Sequence, residues 1–154
     1  QKVFRRVDFH IYGPIEDEEY WLSCKQLISQ LPANINVKFF GAKEQAGVLD
    51  VLRNYDLLFL PSRGENFCHV IAESLSVGTR VLVSDKTPWR DLSAKGFGWD
   101  LPLHDPAAFV EIIEDLEMLE EEKNNRVRQG VVAGYERLIM SSNSIAANKS
   151  LFDC

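Results

Sequence analysis

Apolar residues along the chain follow two spacings in turn, and this alternation predicts the order of strands and helices. Short apolar runs typical of buried strands occupy residues 7–12, 35–40, 56–60 and 80–84, and residues 96–101 are predicted as a short edge strand. Helical spacing occurs in the segments around them, at residues 17–31, 44–55, 66–77, 87–92, 105–119 and 123–140. Residues 141–143 are predicted as a break, and the C-terminal tail, 141–154, is compatible with a final helix.

Local signals support these boundaries. Acidic residues fill the first turn of the helix predicted at 17–31, and Gly78 follows the helix predicted at 66–77. Thr87 and Pro88 suit the N-cap and first position of a short helix at 87–92. In the helix at 44–55, four residues are expected to face inward: Val48, Leu49, Leu52 and Tyr55.

Strands that alternate with helices predict an α/β fold, a Rossmann-like doubly wound parallel sheet covered on both faces. The 154 residues suffice for one domain, which we expect to span residues 1–154. Ligands of such sheets bind at the carboxyl ends of the strands. Here the loops at those ends are residues 13–17, 41–43, 61–66 and 85–87.

Charge and cysteine content limit the possible functions. The formal net charge of −6 argues against sequence-independent binding of nucleic acid. Three scattered cysteines lack metal-ligand spacing and are typical of reduced thiols in a cytoplasmic protein. No apolar run approaches the ~20 residues that span a bilayer, so we expect no transmembrane segment. The start at Gln1 suggests a fragment of a longer protein.

Two glutamates, Glu65 and Glu73, lie eight residues apart between two predicted strands. The first is expected in a loop and the second about two turns into the next helix, where eight residues rise ~12 Å. This separation suits two parts of one elongated ligand, with a phosphate at the helix N-terminus between them. Most glutamate pairs are surface charge, and Glu73 is also compatible with an ordinary helix carboxylate.

The sequence around this pair forms a specific pattern. It reads Asp56-Leu-Leu-Phe-Leu-Pro-Ser-Arg-Gly-Glu-Asn-Phe-Cys-His-Val-Ile-Ala-Glu-Ser-Leu75, followed by Gly78-Thr-Arg-Val-Leu-Val-Ser-Asp85. It resembles the family 4 retaining glycosyltransferases of the GT-B fold, whose C-terminal domain carries such a glutamate pair ahead of a Gly-Thr-Pro-Val-Ile strand. The resemblance covers residues 7–113 and implies the donor-binding, C-terminal domain of such an enzyme.

The resemblance implies a role for each residue of the glutamate loop. Glu65 would lie beside the donor sugar as the catalytic residue, and Glu73 would accept hydrogen bonds from the ribose hydroxyls. Backbone N–H groups for the sugar and the diphosphate would come from Asn66, Phe67, Cys68 and His69.

The base of the nucleotide would lie near the loop after the second strand. The residues of that loop are Gly41, Ala42 and Lys43. Lys43 and Arg63 are the cations expected near the cleft, where each could approach phosphate or remain solvated.

The chain departs from the family pattern in several places. Asn66 and Cys68 replace two common glycines, and Arg80 replaces a proline. Cys68 lacks the partners of a catalytic thiol, so we expect a packing role. For His69, we expect helix capping or a contact with the core rather than catalysis. The family's first strand, its loop with an Arg and a Lys, and the N-terminal domain are not found in the chain.

The resemblance therefore predicts a domain that binds a nucleotide-activated sugar for retaining transfer to an acceptor, such as a glycan or a lipid-linked glycan. Polysaccharide or glycoconjugate synthesis is the expected setting. The family needs no metal, and no cofactor is expected beyond the nucleotide-diphosphate sugar as substrate. Without the N-terminal domain the fragment is expected to be inactive, and membrane association through that domain stays open. The alternative is a non-catalytic module that binds a nucleotide or sugar phosphate.

Overall fold

The computed structural model describes residues 6–117 and 121–141. The chain divides into two compact units, Gln1–Val48 and Leu49–Cys154. Each unit contains parallel strands joined through helices, so the predicted α/β class is confirmed. That one domain spans the whole chain stays a prediction.

From residue 6 to residue 39, the first unit contains two strands and one α-helix. Strands β1 (Val7–Ile11) and β2 (Ile35–Phe39) pair in parallel, and α1 (Glu18–Ile28) connects them. Asp17 caps α1 by accepting a hydrogen bond from the N–H of Tyr20 at 2.9 Å, as its acidic start suggested. Of the apolar residues at helical spacing, Leu27 and Leu31 are exposed.

The second unit is built on a three-stranded parallel sheet in the order β3 (Leu57–Leu60), β4 (Arg80–Ser84), β5 (Gly98–Leu101). Its helices are α3 (His69–Ser76), α4 (Pro106–Glu117) and α5 (Glu121–Ser141). A 3-10 turn (Gln45–Gly47) and helix α2 (Val48–Arg53) precede β3. As predicted, the strand at the edge of this sheet is β5.

The core of the second unit lies between α3, β4 and α5. Its buried apolar residues are Ile71, Leu75, Val81, Val83, Leu92, Phe97 and Val131. Three consecutive residues of β4, from Val81 to Val83, are fully buried, as expected for a central parallel strand covered on both faces. This core fixes the end of β3 and the start of α3, between which the glutamate loop runs.

Two predicted helices differ from the structure. Residues 87–92 form an irregular segment instead of a helix, because Asp100 accepts hydrogen bonds from the N–H groups of Asp91 and Leu92 at 3.3 and 3.0 Å. Asp91 moreover has a φ of 56°, which a helix excludes. The helix predicted at 66–77 begins only at His69, since a left-handed turn precedes it.

Smaller differences concern individual positions. Leu49 is exposed by 37%, so the prediction that it faces inward is wrong, whereas Leu52 is buried. Leu119 and the tail after Ser141 lie outside the described residues. In the part of the chain that the structure describes, every helix is too short or too polar to cross a lipid bilayer.

Candidate functional site

The glutamate loop, residues 61–68, joins the carboxyl end of β3 to the N-terminus of α3. Cys68 ends it in the left-handed region, with φ 58° and ψ 71°. A residue with a Cβ atom rarely adopts this conformation, and here it turns the chain sharply into the helix. The turn brings residues 66–68 to the N-terminus of α3 without making them helical.

Buried contacts fix the C-terminal end of α3. Ser74 is fully buried, and its hydroxyl donates to the carbonyl oxygen of Thr79 at 2.9 Å. Gly78 ends the helical segment with φ +82°, and a Cβ atom there would lie 2.8 Å from the carbonyl oxygen of Arg128. Glycine is therefore required where α3 approaches the backbone of α5.

Glu65 and Cys68 lie together at the end of the loop. Burial raises the pKa of the Cys68 thiol, the nearby Glu65 carboxylate raises it further, and the backbone N–H of Ile71 opposes the change. The thiol therefore stays protonated at neutral pH, which is the wrong state for a nucleophile. Cys68 packs against the core cluster, so its expected packing role is confirmed.

The two glutamates differ in their surroundings. Glu65 is exposed in the loop, and Glu73 is half-buried on α3. Because α3 begins at His69, Glu73 lies little more than one turn into the helix, and the prediction of two turns is wrong. The ~12 Å helical rise expected between the carboxylates therefore does not apply.

The other polar residues of the loop are open to solvent. Arg63 and Asn66 are both exposed. Within the described chain, the Arg63 side chain makes no hydrogen bond or ion pair. Its predicted approach to phosphate stays a prediction.

Aromatic side chains cover one side of the loop. Phe67 is exposed by 57%, and its ring lies 5.1 Å from the ring of His69 and 6.1 Å from that of Trp89. His69 is exposed and is the first residue of α3, so neither capping nor a core contact describes it. The indole Nε1 of Trp89 donates to the carbonyl oxygen of Phe67 at 3.0 Å. Sequence reasoning missed Trp89, although it closely follows a loop predicted at the ligand edge of the sheet.

The carboxyl ends of β3 and β4 are linked beside the loop. The Ser84 hydroxyl donates a short hydrogen bond to the carbonyl oxygen of Ser62 and accepts one from the N–H of Lys86 at 3.2 Å. Among the described residues, Ser62 Oγ and Asp85 Oδ1 are buried and have no hydrogen-bond partner. Polar groups thus gather at the sheet edge where ligands of such folds bind.

The predicted base-binding loop belongs to the first unit. Gly41 has φ +69°, and its carbonyl oxygen accepts a hydrogen bond from the N–H of Gly13 at 3.0 Å. The rings of Tyr12 and Phe40 stack beside it, with centroids 5.2 Å apart. Ala42 and Lys43 are exposed. The backbone of Gly41 is thus tied to the loop after β1, beside a pair of stacked aromatic rings.

A buried polar network at the amino ends of β3 and β4 was not predicted from the sequence. Thr79, fully buried, donates through Oγ1 to the carbonyl oxygen of Leu52 at 2.7 Å. Arg128 donates to the carbonyl oxygens of Tyr55 at 2.7 Å and Arg53 at 2.6 Å, and to Thr79 Oγ1 at 3.1 Å. The network connects α2, the start of β4 and α5. No sequence pattern indicated that these distant residues are partners.

Across residues 6–117 and 121–141, no group of three or more His, Cys, Asp or Glu side chains could hold a metal ion.

Comparison with known proteins gives the family. No curated protein matches the chain. The family model for glycosyl transferases group 1 matches residues 1–131, which includes both glutamates, the glutamate loop and the sheet of the second unit. The chain therefore belongs to the group 1 glycosyl transferases, and its Rossmann-like α/β fold agrees with that family.

Proposed function

We propose that this chain binds a nucleotide-activated sugar donor for retaining glycosyl transfer to a glycan or a lipid-linked glycan. The family supports glycosyl transfer in general, which requires a sugar donor and an acceptor. The nature of the donor and the retention of anomeric configuration are the finer parts of the proposal.

The observation that carries the proposal is the N-terminus of α3. Within the described residues, the N–H groups of Phe67, Cys68 and His69 have no hydrogen-bond acceptor. Unpaired N–H groups at a helix N-terminus bind anions, and the helix dipole adds to their attraction. A diphosphate has the charge and the oxygen atoms to accept from them.

Carboxylates on either side of these N–H groups suit the two ends of a nucleotide sugar. Glu65 precedes them in an exposed loop and would contact the sugar, as a catalytic carboxylate beside the anomeric carbon. Glu73 follows them on α3 and would accept from the two ribose hydroxyls, since a carboxylate accepts strongly from a vicinal diol. The base-binding role of Gly41, Ala42 and Lys43 stays a prediction from the sequence.

The substitution Glu73→Gln tests the ribose role. It keeps the shape of the side chain and removes the charge, so affinity for the cognate nucleoside diphosphate should fall by about 1–3 kcal/mol. Isothermal titration calorimetry of the full-length protein with UDP, GDP and ADP measures this loss. Glu111→Gln is the matched control, because Glu111 is exposed on α4.

Two results would count against the proposal. Equal affinity in the Glu73→Gln variant and the wild type would remove Glu73 from the ribose role. If none of the three nucleotides bound the wild-type protein, the nucleotide-sugar donor itself would be wrong. Retention is tested separately, by NMR of the anomeric proton in the first-formed product.

A further inference from the structure

Trp89 joins two loops at the carboxyl edge of the β3–β4 pair. It lies in the irregular segment after β4, is half-buried, and donates its indole N–H to the carbonyl oxygen of Phe67, 22 residues earlier in the chain. The partner is a backbone atom of the glutamate loop. Trp89 therefore acts on the direction of a peptide unit and not only on packing.

The indole is itself held in place by the core. It packs against the core cluster together with Cys68 and Tyr135. Its ring lies 6.4 Å from the ring of Tyr135, which in turn lies 6.3 Å from the ring of Phe97. Phe97 is exposed by only 3%. The N–H donor thus has a fixed position relative to the sheet.

A fixed carbonyl fixes the next N–H group. The peptide unit between Phe67 and Cys68 is planar and trans, so its C=O and N–H bonds point in opposite directions. Because Trp89 holds the carbonyl oxygen, the N–H of Cys68 points away from the indole. Among the described residues that N–H has no acceptor.

The conformation of Cys68 makes such a hold necessary. With a φ of 58°, Cys68 occupies the left-handed region, which favours glycine. A flip of the peptide unit would return Cys68 to an ordinary negative φ. The flip would also place a carbonyl oxygen where the N–H now lies, and that oxygen would repel an anion.

We infer that Trp89 is a positioning residue, which holds the peptide unit between Phe67 and Cys68 so that the Cys68 N–H meets the diphosphate of the donor. This inference rests on the proposed function, because it names the anion that the N–H receives. Trp89 itself does not touch the ligand in this arrangement.

The substitution Trp89→Phe tests the inference, because it keeps an aromatic ring and removes the N–H donor. We expect affinity for the bound nucleoside diphosphate, measured by calorimetry with UDP, GDP and ADP, to fall on the order of tenfold. Trp99→Phe is the matched control, since Trp99 lies on β5 with its ring 5.4 Å from the Arg80 guanidinium carbon. The control should bind as the wild type does.

Two further measurements separate positioning from a general loss of structure. A crystal structure of the Trp89→Phe variant should have Cys68 at negative φ, while its melting temperature falls no more than that of Trp99→Phe. Adding Cys68→Gly to the Trp89→Phe variant should restore affinity, because glycine adopts positive φ without a side-chain clash.

The outcomes are distinguishable. Wild-type affinity in Trp89→Phe, an unchanged φ at Cys68, or no recovery with Cys68→Gly overturns the inference and leaves the proposed function standing. A wild-type protein that binds none of the three nucleotides overturns the proposed function and the inference with it.

Discussion

Replacing Thr79 with valine tests the buried network at the amino ends of β3 and β4, opposite the glutamate loop. Valine has nearly the same shape as threonine but lacks the hydroxyl group. The change removes the donation to the Leu52 carbonyl oxygen at 2.7 Å and the acceptance from Arg128 Nη2 at 3.1 Å. Because Thr79 is fully buried, water cannot replace either hydrogen bond.

The size of the stability loss depends on which hydrogen bonds the former partners of Thr79 retain. The Leu52 carbonyl oxygen still accepts from the N–H of Tyr55 at 3.1 Å, and Arg128 Nη2 still donates to the Arg53 carbonyl oxygen at 2.6 Å. No group is left wholly unpaired, so the larger desolvation penalty is avoided. Two hydrogen bonds at about 1 kcal/mol each give a loss of about 2 kcal/mol in the free energy of unfolding.

Urea unfolding followed by circular dichroism measures this loss. Thr87→Val is the matched control, because Thr87 is equally buried but its hydroxyl reaches only the Trp89 carbonyl oxygen at 3.5 Å. That distance is too long for a good hydrogen bond, so the control should change stability by less than about 0.5 kcal/mol. Similar losses in the two variants would refute the reasoning.

A double-mutant cycle with Arg128→Met isolates the contact between the two side chains. Arg128→Met alone removes three charge-assisted hydrogen bonds and should cost about 2–4 kcal/mol. The coupling energy with Thr79→Val should be about 0.5–1.5 kcal/mol, since the two residues share one hydrogen bond. Strict additivity would mean that this bond contributes nothing.

Two further predictions use other features of the second unit. Gly98→Ala should destabilise the protein by about 3 kcal/mol or more, because the new Cβ atom would lie 1.8 Å from the Val81 carbonyl oxygen. Gly64→Ala is the control, since its Cβ atom would meet no atom within 4 Å, and it should be nearly neutral in thermal unfolding. Alkylation of Cys68, followed by peptide mass spectrometry, should have a midpoint above pH 9.0, and Glu65→Gln should lower it, because both burial and the carboxylate raise this pKa. The raised pKa stabilises the folded state fully below pH 9.0, and this contribution is lost as the pH rises through the folded value. A midpoint that does not respond to Glu65→Gln would contradict the contact.

The order and type of the strands could be predicted because buried parallel strands leave continuous apolar runs. Residues 80–84 were predicted with both ends of β4 correct, since three consecutive buried residues and the preceding Gly78 delimit it. The helix predicted at 87–92 is wrong because its capping signals are local, whereas Asp100 binds the backbone from β5. Propensity is a weak prior when a distant side chain supplies a better partner.

The residues of the candidate site likewise include some that the sequence indicates and some that it does not. Glu65 and Glu73 could be singled out from the sequence because their eight-residue spacing between two strands resembles the family pattern, and their binding roles stay predictions. Trp89 and Arg128 could not be identified from the sequence, because each binds a distant backbone carbonyl oxygen. The partner of Trp89 is Phe67, 22 residues away, and a partner of Arg128 is Tyr55, 73 residues away. A carbonyl oxygen has no sequence identity, so no residue pattern can mark it.

Backbone conformation points to the same region of the second unit. Among the described residues, Cys68 and Asp91 are the residues other than glycine with positive φ. Asp91 tolerates it, because a short polar side chain is suited to this region and Asp100 accepts from its N–H. Cys68 has neither advantage, so its conformation costs on the order of 1–3 kcal/mol, which the Trp89 hydrogen bond and the packing of the thiol must offset. A strained turn persists only where its surroundings enforce it, and such turns concentrate at functional sites. The strain at Cys68 therefore agrees with the family pattern in marking the loop between Glu65 and α3 as the part of the chain to test first.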